Sequence, residues 1–330
     1  MLNRNEIINY LTNDDINLFK TADKIRKDNV GDNIHLRGLI EFGNVCKRNC
    51  LYCGLRAENK NIKRYRLKEE DIIEIAKRGI WAGYKTIVLQ SGEDDYYTKD
   101  KLCKIIENIK KFDVALTLSI GERPYKDYEA FKNAGADRYL LRIETTDKNL
   151  YKKIHPNASY ENRLECLCNL KNLGYETGTG VLVGLEGQSI ESLADDILFF
   201  KELNADMIGI GPFIPHPDTP LKDKFNKNAF NLALKVMAIT RIIMPDINIP
   251  ATTAMESINK NGRIIALQSG ANVIMPNINK AEYAKNYQIY PNKAGINDDI
   301  IKEKKILEKK LASIKRFISK DKGNRYKKGV

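Results

Sequence analysis

The stretch HLRGLIEFGNVCKRNCLYCGLR, residues 35–56, decides how the rest of the chain is interpreted. Its apolar run from Leu36 to Phe42 predicts a buried strand, and Cys46, Cys50 and Cys53 follow at C-x3-C-x2-C spacing. The three cysteines therefore lie in the loop after a first strand. In a barrel of alternating strands and helices, such loops form the catalytic face.

Further β-rich runs follow this first strand, and longer segments of helical period separate them. The predicted strands are Leu36 to Phe42, Thr86 to Gln90, Ala115 to Ser119, Tyr139 to Ile143, Thr177 to Val183, Met207 to Gly211, Asn248 to Thr252 and Asn272 to Met275. The predicted helices are Lys68 to Ala82, Lys99 to Lys111, Tyr125 to Ala134, Tyr160 to Leu173, Ile190 to Leu203 and Phe230 to Ile243. This α/β pattern predicts a (βα)8 TIM-type barrel. A doubly wound open sheet shares the same local pattern and stays open as the alternative.

The chain is predicted to form a single domain over residues 1–330, with the barrel at about residues 35–280. An N-terminal helical cap is expected before Asn33, and a basic C-terminal helical extension over about residues 281–330. Trp81 and the apolar positions of the helices are expected in the core.

The formal net charge of +12 is concentrated in the C-terminal extension. Residues 301–330 hold 12 Lys or Arg against 3 Asp or Glu, a charge of +9, which leaves +3 for the first 300 residues. Lysines between Lys304 and Lys315 alternate with Ile306, Leu307 and Leu311 at helical spacing, so this segment predicts an amphipathic helix with a solvated basic face. We therefore expect no nucleic-acid partner; docking to an acidic protein is the lesser alternative.

The N-terminal segment is polar and does not match a signal or transit peptide. No apolar run approaches the roughly 20 residues needed to span a bilayer, so no membrane association is expected. These features predict a cytoplasmic protein. Its six cysteines should then be reduced, and their clustering favours metal ligation over disulfide bonding.

The cysteine spacing supplies three thiolates, whereas structural zinc sites and electron-transfer [4Fe-4S] clusters normally use four ligands. A [4Fe-4S] cluster on Cys46, Cys50 and Cys53 leaves one iron open. In radical S-adenosylmethionine (SAM) enzymes, SAM chelates that iron, and electron transfer breaks its C5′–S bond to give a 5′-deoxyadenosyl radical. Unrelated free cysteines and a zinc knuckle with a distant ligand are the alternatives. Tyr52 beside the last cysteine, and the position after a first strand, favour a radical SAM enzyme.

Several later positions suit SAM binding. The residues Gln90, Ser91, Gly92 and Glu93 end the second strand, where a turn can present backbone groups to the methionine amine. Glycine-containing stretches end the fifth and sixth strands and allow close backbone approach to the adenosine, which places Ile210 in the cofactor site. Glu144 and Arg163 can bind the ribose or amine and the carboxylate of SAM. Without the cysteine motif, an ordinary surface ion pair would be preferred for these last two.

With these residues considered, the chain resembles the HydE family of radical SAM maturases of FeFe-hydrogenases, within the biotin synthase-like group. The resemblance covers about residues 36–291. Its segments are Cys46 to Arg56, Lys63 to Arg66, Val88 to Asp94, Tyr139 to Thr145, Gly209 to Pro220, Ile249 to Met255 and Ala271 to Asn277.

The resemblance implies functions for individual residues. Glu144 and Arg163 would contact SAM, and a substrate cavity would be lined by Thr117, Arg142, Thr252, Thr253, Met275, Tyr287 and Tyr290. The substrate implied is an organometallic iron centre carrying cysteine, CO and cyanide. HydG would deliver it, and HydF is the other implied partner. Attack of the adenosyl radical on the cysteine sulfur would leave sulfide on iron, in a precursor of the hydrogenase diiron subcluster. A cavity with Arg142 and threonine hydroxyls suits cyanide-bearing anions.

One departure from the family concerns cysteine number. Some HydE proteins have further C-terminal cysteines for a second cluster, but no cysteine follows Cys168 in this chain. A single cluster is therefore predicted. Cys103, Cys166 and Cys168 have no motif spacing and are assigned to packing. His155 and His216, each beside a proline, are assigned structural rather than metal-binding positions.

Three alternative functions remain open at this point. A methylornithine synthase-like or a biotin synthase-like enzyme would use the same barrel and the same radical chemistry on another substrate. A non-enzymatic iron-sulfur scaffold would carry a cluster without cleaving SAM.

Overall fold

A computed structural model describes residues 2–296 and 299–325. Its central feature is a curled parallel sheet. The strands are β1 (Asn33–Gly43), β2 (Thr86–Ser91), β3 (Ala115–Ser119), β4 (Arg138–Leu140), β5 (Glu176–Val183), β6 (Met207–Pro212) and β7 (Val273–Ile274). They are hydrogen-bonded in the order β6-β5-β4-β3-β2-β1-β7. Adjacent strands in this order are parallel, as crossovers through helices require.

Residues 247–251 close the ring between β6 and β7. Parallel bridges join Met207 to Asn248 and Pro250 to Val273. The amide of Ile208 donates to the carbonyl of Asn248 at 3.0 Å. The predicted strand from Asn248 to Thr252 is thus reduced to bridges, because Pro250 has no N–H to donate to a ladder. The predicted TIM-type barrel is confirmed. At its seventh strand position, isolated bridges take the place of a full strand.

Helices cover the outside of the barrel and part of its C-terminal end. They are α3 (Glu69–Trp81), α4 (Lys99–Lys110), α5 (Tyr125–Asn133), α6 (Lys148–Ile154), α7 (Tyr160–Asn172), α8 (Ile190–Glu202), α9 (Ala229–Ile243), α10 (Thr253–Ile258), α11 (Gly262–Leu267), α12 (Ala281–Ala284) and α13 (Ile300–Ala312). Side-chain oxygens of Thr98, Ser159 and Ser189 cap α4, α7 and α8 by accepting backbone N–H groups. The six predicted helices each agree with these bounds within one residue.

Trp81 is not in the core, contrary to expectation, since it is 75% exposed. The buried residues of α3 are Ile72, Ile75, Ala76 and Gly79, which form one stripe at helical spacing. Trp81 lies beside this stripe at the end of the helix. Its large apolar side chain suggested burial, but its angular position on the helix places it outside the buried stripe.

Two helices, α1 (Arg4–Thr12) and α2 (Leu18–Val30), precede the barrel as expected. A capping box starts α1: Asn3 accepts from the amide of Glu6, and Glu6 accepts from the amide of Asn3. These helices pack against α8 and α9 on the outside of the barrel. Among the described residues, no helix has the length and apolar character needed to cross a bilayer.

The C-terminal extension contains α12, α13 and a short strand, β8 (Phe317–Ile318), which pairs with the start of β1. The chain then runs beneath the N-terminal end of the barrel. There the carbonyl of Lys322 accepts from Arg138 at 2.8 Å, and that of Gly323 accepts from Asn248 at 3.0 Å. The extension is therefore helical only in part, and its end seals the barrel opposite the cysteines. Residues 297–298 and 326–330 of the predicted extension lie outside the described residues.

Candidate active site

One cavity of about 350 Å³ lies at the C-terminal ends of the strands. Its lining includes nearly every site residue expected from sequence: Cys46, Cys50, Tyr52, Cys53, Gln90, Ser91, Gly92, Glu93, Thr117, Arg142, Glu144, Arg163, Thr252, Thr253, Met275, Tyr287 and Tyr290. Ile210 is the exception. Its side chain is fully buried in the hydrophobic core, whereas Gly209 and Gly211 on either side of it line the cavity, as alternation along β6 requires.

The cysteine loop is fixed by backbone contacts around the three thiols. The amide of Glu93 donates to Cys46 Sγ at 3.4 Å, and the amide of Cys53 donates to the carbonyl of Cys50 at 3.3 Å. Burial raises the pKa of all three thiols, that of Cys50 to about 12, and thiolate repulsion between neighbours adds to the rise for Cys50 and Cys53. Thiolates at this wall thus need a cationic group to balance them.

The chemistry of the donor set fits an iron-sulfur cluster. Cys46, Cys50 and Cys53 share one wall of one cavity, and thiolate sulfur is the usual ligand of such clusters.

Two glycines allow the loop to approach its neighbours. An added Cβ at Gly92 would lie 2.2 Å from the carbonyl oxygen of Val45, so only glycine lets the end of β2 meet the cysteine loop. At Gly54 an added Cβ would lie 2.0 Å from the carbonyl oxygen of Gln288. The amide of Gly54 donates to the carbonyl of Ile289 at 3.0 Å, which ties the loop to residues 286–293.

Glu144 has an unusual backbone and a buried carboxylate. Its φ of 66° lies in the left-handed region, which a non-glycine residue occupies at a cost. Arg142 Nη2 lies 3.1 Å from its Oε2, and only 9% of the Glu144 side chain is exposed. Burial raises the pKa of Glu144, and the nearby guanidinium groups of Arg142 and Arg163 oppose the rise. Strain and burial at one carboxylate are typical of a functional position.

Arg163 is buried and pairs with a carboxylate that the sequence did not suggest. Its Nε donates to Glu122 Oε1 at 2.6 Å, and its Nη1 donates to the carbonyl of Arg142. The Arg163 side chain is 9% exposed and the Glu122 side chain 4%. This is therefore no surface ion pair, and Glu144 is not its partner in that contact.

The cavity lining also contains polar atoms without protein partners. Thr117 Oγ1, Thr252 Oγ1 and Arg142 Nε are buried and make no hydrogen bond among the described residues. Thr253 differs, because its Oγ1 accepts from Arg263 Nη2 at 3.2 Å. Buried polar groups are normally satisfied, so these atoms suit a polar or anionic ligand.

Residues 287–293 of the C-terminal extension form another wall. Lys293 Nζ lies 2.6 Å from both carboxylate oxygens of Glu41, at the end of β1. Gln90 Nε2 donates to Tyr287 Oη at 3.2 Å. Tyr287, Tyr290 and Lys293 all line the cavity. The extension is thus part of the site.

Sequence reasoning missed several charged residues at the site. Among them, Glu41, Arg48 and Lys293 line the cavity, and Glu122 pairs with Arg48 beside it. Two of them stand within the quoted motif, at the end of the first strand and between the cysteines, where a charge beside a metal loop is itself a signal. Glu122 follows the third strand and could have been found by the same rule as Glu144. No local pattern marks Lys293.

His155 and His216 are buried, whereas of the remaining cysteines Cys166 is buried, Cys103 is half-buried and Cys168 is exposed, so the packing role expected for Cys168 is wrong. Tyr52 Oη lies 3.0 Å from His155 Nε2, and His155 Nδ1 lies 3.2 Å from the carbonyl of Tyr151. Burial lowers the pKa of His155 to about 3, so its ring is neutral and orients Tyr52. Cys166 is buried and Cys168 exposed, in agreement with their different faces on α7.

Comparisons with known proteins agree with this geometry. The model of the Radical SAM superfamily matches residues 40–200, and that of the Biotin and Thiamin Synthesis associated domain matches residues 210–302. The [FeFe] hydrogenase maturase subunit HydE of Thermotoga maritima is 59% identical over 84% of this chain and 79% of that protein. The 3-methylornithine synthase of Methanosarcina acetivorans is 32% identical over 82% of this chain and 77% of that protein.

Solved structures show the same fold. The crystal structure of a methylornithine synthase superposes with a TM-score of 0.83 at 25% identity, covering 97% of this chain and 94% of that one. A HydG maturase of the [FeFe]-hydrogenase superposes with a TM-score of 0.80 at 18% identity, over 97% of this chain and 73% of that one.

Proposed function

We infer the function of this chain from its family, since it belongs to the radical SAM superfamily and, within it, to the family of the [FeFe] hydrogenase maturase HydE. It is a radical SAM enzyme, and its superfamily uses a [4Fe-4S] cluster and SAM. We propose that a single cluster is held by Cys46, Cys50 and Cys53. The enzyme then acts in the cytoplasm in assembly of the diiron subcluster of an FeFe-hydrogenase.

The observation that carries this proposal is the shared cavity. The three thiols and the buried polar atoms without protein partners belong to the same lining. When bound, the cluster supplies the electron that cleaves SAM into methionine and a 5′-deoxyadenosyl radical. Enclosure between the barrel and residues 287–293 keeps water away from such a radical.

In this proposal the SAM site surrounds the cysteine loop. Arg163 offers its guanidinium to the methionine carboxylate, and Glu144 accepts from the amine or the ribose. Gly92 brings the end of β2 close enough for backbone groups to reach the methionine portion. Tyr52, oriented by His155, packs beside the last cysteine.

The substrate proposed is an iron centre carrying cysteine, CO and cyanide, supplied by HydG, with HydF as a further partner. Arg142 Nε and the hydroxyls of Thr117 and Thr252 can donate to cyanide nitrogen, because they are buried without other partners. Met275 and Tyr290 enclose the less polar parts of the complex. The two ends of the cavity thus divide between SAM and substrate.

Anaerobic reconstitution followed by a SAM cleavage assay tests the proposal. We expect about four irons per chain. After reduction, the protein should form 5′-deoxyadenosine. Adding the HydG product should raise the yield of the processed iron complex. A protein that binds iron but forms no 5′-deoxyadenosine would be a scaffold. Turnover of lysine without response to the HydG product would instead support the methylornithine synthase-like function.

A further inference from the structure

Glu122 lies at the centre of a buried chain of alternating charges. Its Oε1 accepts from Arg163 Nε at 2.6 Å, and its Oε2 accepts from Arg48 Nη2 at 2.7 Å. Arg48 in turn donates from Nε to Glu93 Oε1 at 2.7 Å. Only 4% of the Glu122 side chain is exposed, so its carboxylate meets two guanidinium groups away from bulk water.

The chain of charges links four separate elements at the mouth of the barrel. Glu93 follows β2, Arg48 lies between the first two cysteines, Glu122 follows β3, and Arg163 lies on α7. The amide of Glu122 also donates to Glu93 Oε2 at 3.2 Å. The position of the cysteine loop is therefore fixed to the position of Arg163 through one carboxylate.

The contacts of Arg163 show what this arrangement does. Glu122 occupies its Nε, and the carbonyl of Arg142 occupies its Nη1. Its Nη2 makes no hydrogen bond among the described residues, although Arg163 lines the cavity. A guanidinium fixed at two nitrogens has lost its rotational freedom before a ligand arrives, so less entropy is lost on binding.

We propose that Glu122 is a positioning residue, which holds Arg163 ready for the SAM carboxylate and, through Arg48, holds the cysteine loop against that same site. This inference deepens the proposed function and rests on it. Glu122 itself touches neither the cysteines nor SAM in this account. It acts through the two arginines on either side of it.

The test is the Glu122→Gln variant, which keeps the shape of the side chain and removes its charge. We expect the anaerobically reconstituted variant to retain its iron, because the three cysteines are unchanged. The dissociation constant of SAM should rise about tenfold, the scale of one lost charged hydrogen bond. The change that SAM causes in the electron paramagnetic resonance spectrum of the reduced cluster should need correspondingly more SAM.

A double-mutant cycle separates positioning from general damage. In an Arg163→Ala background, Glu122→Gln should cause no further loss of SAM affinity, because the residue that it positions is gone. Glu161→Gln is the matched control on α7; its side chain is 71% exposed, and it should bind SAM as wild type does. If circular dichroism shows that Glu122→Gln is misfolded, Glu122→Asp, which keeps the charge but shortens its reach, takes its place in the cycle.

Two results would overturn the inference. One is unchanged SAM affinity in a folded Glu122 variant, and the other is an additive loss in the Arg163→Ala background. Failure of the proposed function is distinguishable from both, because it appears in the wild-type protein, which would then form no 5′-deoxyadenosine or would turn over lysine without response to the HydG product.

Discussion

Replacing Lys293 by Met should destabilise the protein by about 3–5 kcal/mol, the range for a buried ion pair that loses one partner. Lys293 Nζ lies 2.6 Å from both oxygens of Glu41, and the two side chains are 7% and 2% exposed. Met fills most of the same volume, so little cavity forms. Glu41 then keeps one side-chain donor, the amide of Asn277 at 2.6 Å, which does not balance its charge.

The loss should depend on pH. Burial raises the pKa of Glu41, and the ammonium of Lys293 opposes that rise. Without Lys293 the folded-state pKa moves further above the unfolded value. Between the unfolded-state and the folded-state pKa of Glu41, stability is lost as pH rises, because the folded protein holds this proton more tightly than the unfolded protein does. The deficit of Lys293→Met should therefore be larger at about pH 8 than at about pH 5.

Thermal unfolding of the anaerobic protein, followed by circular dichroism at one scan rate, measures the effect. With an unfolding entropy of about 2.1 cal/mol/K per residue over 330 residues, the midpoint should fall by roughly 4–7 °C for this variant. Lys285→Met, at an exposed position of the same segment, is the control and should unfold with wild type. The double variant Glu41→Gln/Lys293→Met should recover most of the loss, since no unpaired charge remains. A single variant within about 2 °C of wild type, or a double variant no better than the single, would refute this reasoning.

Other substitutions test the cluster, the two ends of the cavity and a buried acid. Alanine at any of Cys46, Cys50 or Cys53 should abolish iron binding and SAM cleavage, whereas alanine at Cys103 or Cys168 should change neither in the same assays. Arg163→Ala should weaken SAM binding by roughly 1.5–3 kcal/mol in a titration, as the loss of a charged hydrogen bond implies. Thr252→Val should leave uncoupled SAM cleavage intact and lower hydrogenase maturation; equal loss of both would contradict the division of the cavity. Burial raises the pKa of Asp196 from 3.8 to about 7, so its ionisation removes stability as pH rises between these values. The thermal midpoint of Asp196→Asn should therefore rise relative to that of wild type as pH increases over that interval. The same pH dependence of the midpoint in both proteins would disprove this.

Local patterns were sufficient for the six predicted helices, for most of the barrel strands and for the cysteine loop. Alternation and helical period give β3 and α4 almost residue by residue, because each element buries one face against the same core. The cysteines could be assigned to the cavity because a loop after β1 of a parallel barrel has to open at the C-terminal face. The prediction that Ile210 lines the cavity was wrong. The residues of β6 that face the cavity are Met207, Gly209 and Gly211, so the side chain of Ile210 points to the other side of the sheet.

Contacts between distant parts of the chain could not be predicted from one sequence. Lys293 and Glu41 are 252 residues apart, and Arg48 and Glu122 are 74 apart. Each residue alone resembles an ordinary surface charge, since nothing in its neighbours states that it will be buried. Only the closed barrel brings these charges together, and burial then makes their pairing obligatory.

The basic C-terminal extension shows how the same limit affects the interpretation of charge. Arg316 lies 2.6 Å from Asp23, and Arg325 lies 2.9 Å from Asp246, so these two cations are neutralised within the fold. Both side chains are less than one tenth exposed. The +9 counted over residues 301–330 therefore overstates the positive field that the extension presents to a partner. Part of that charge closes the barrel on the side opposite the cysteines. Basic composition at this end of the chain is thus explained in part by folding, before any partner is considered.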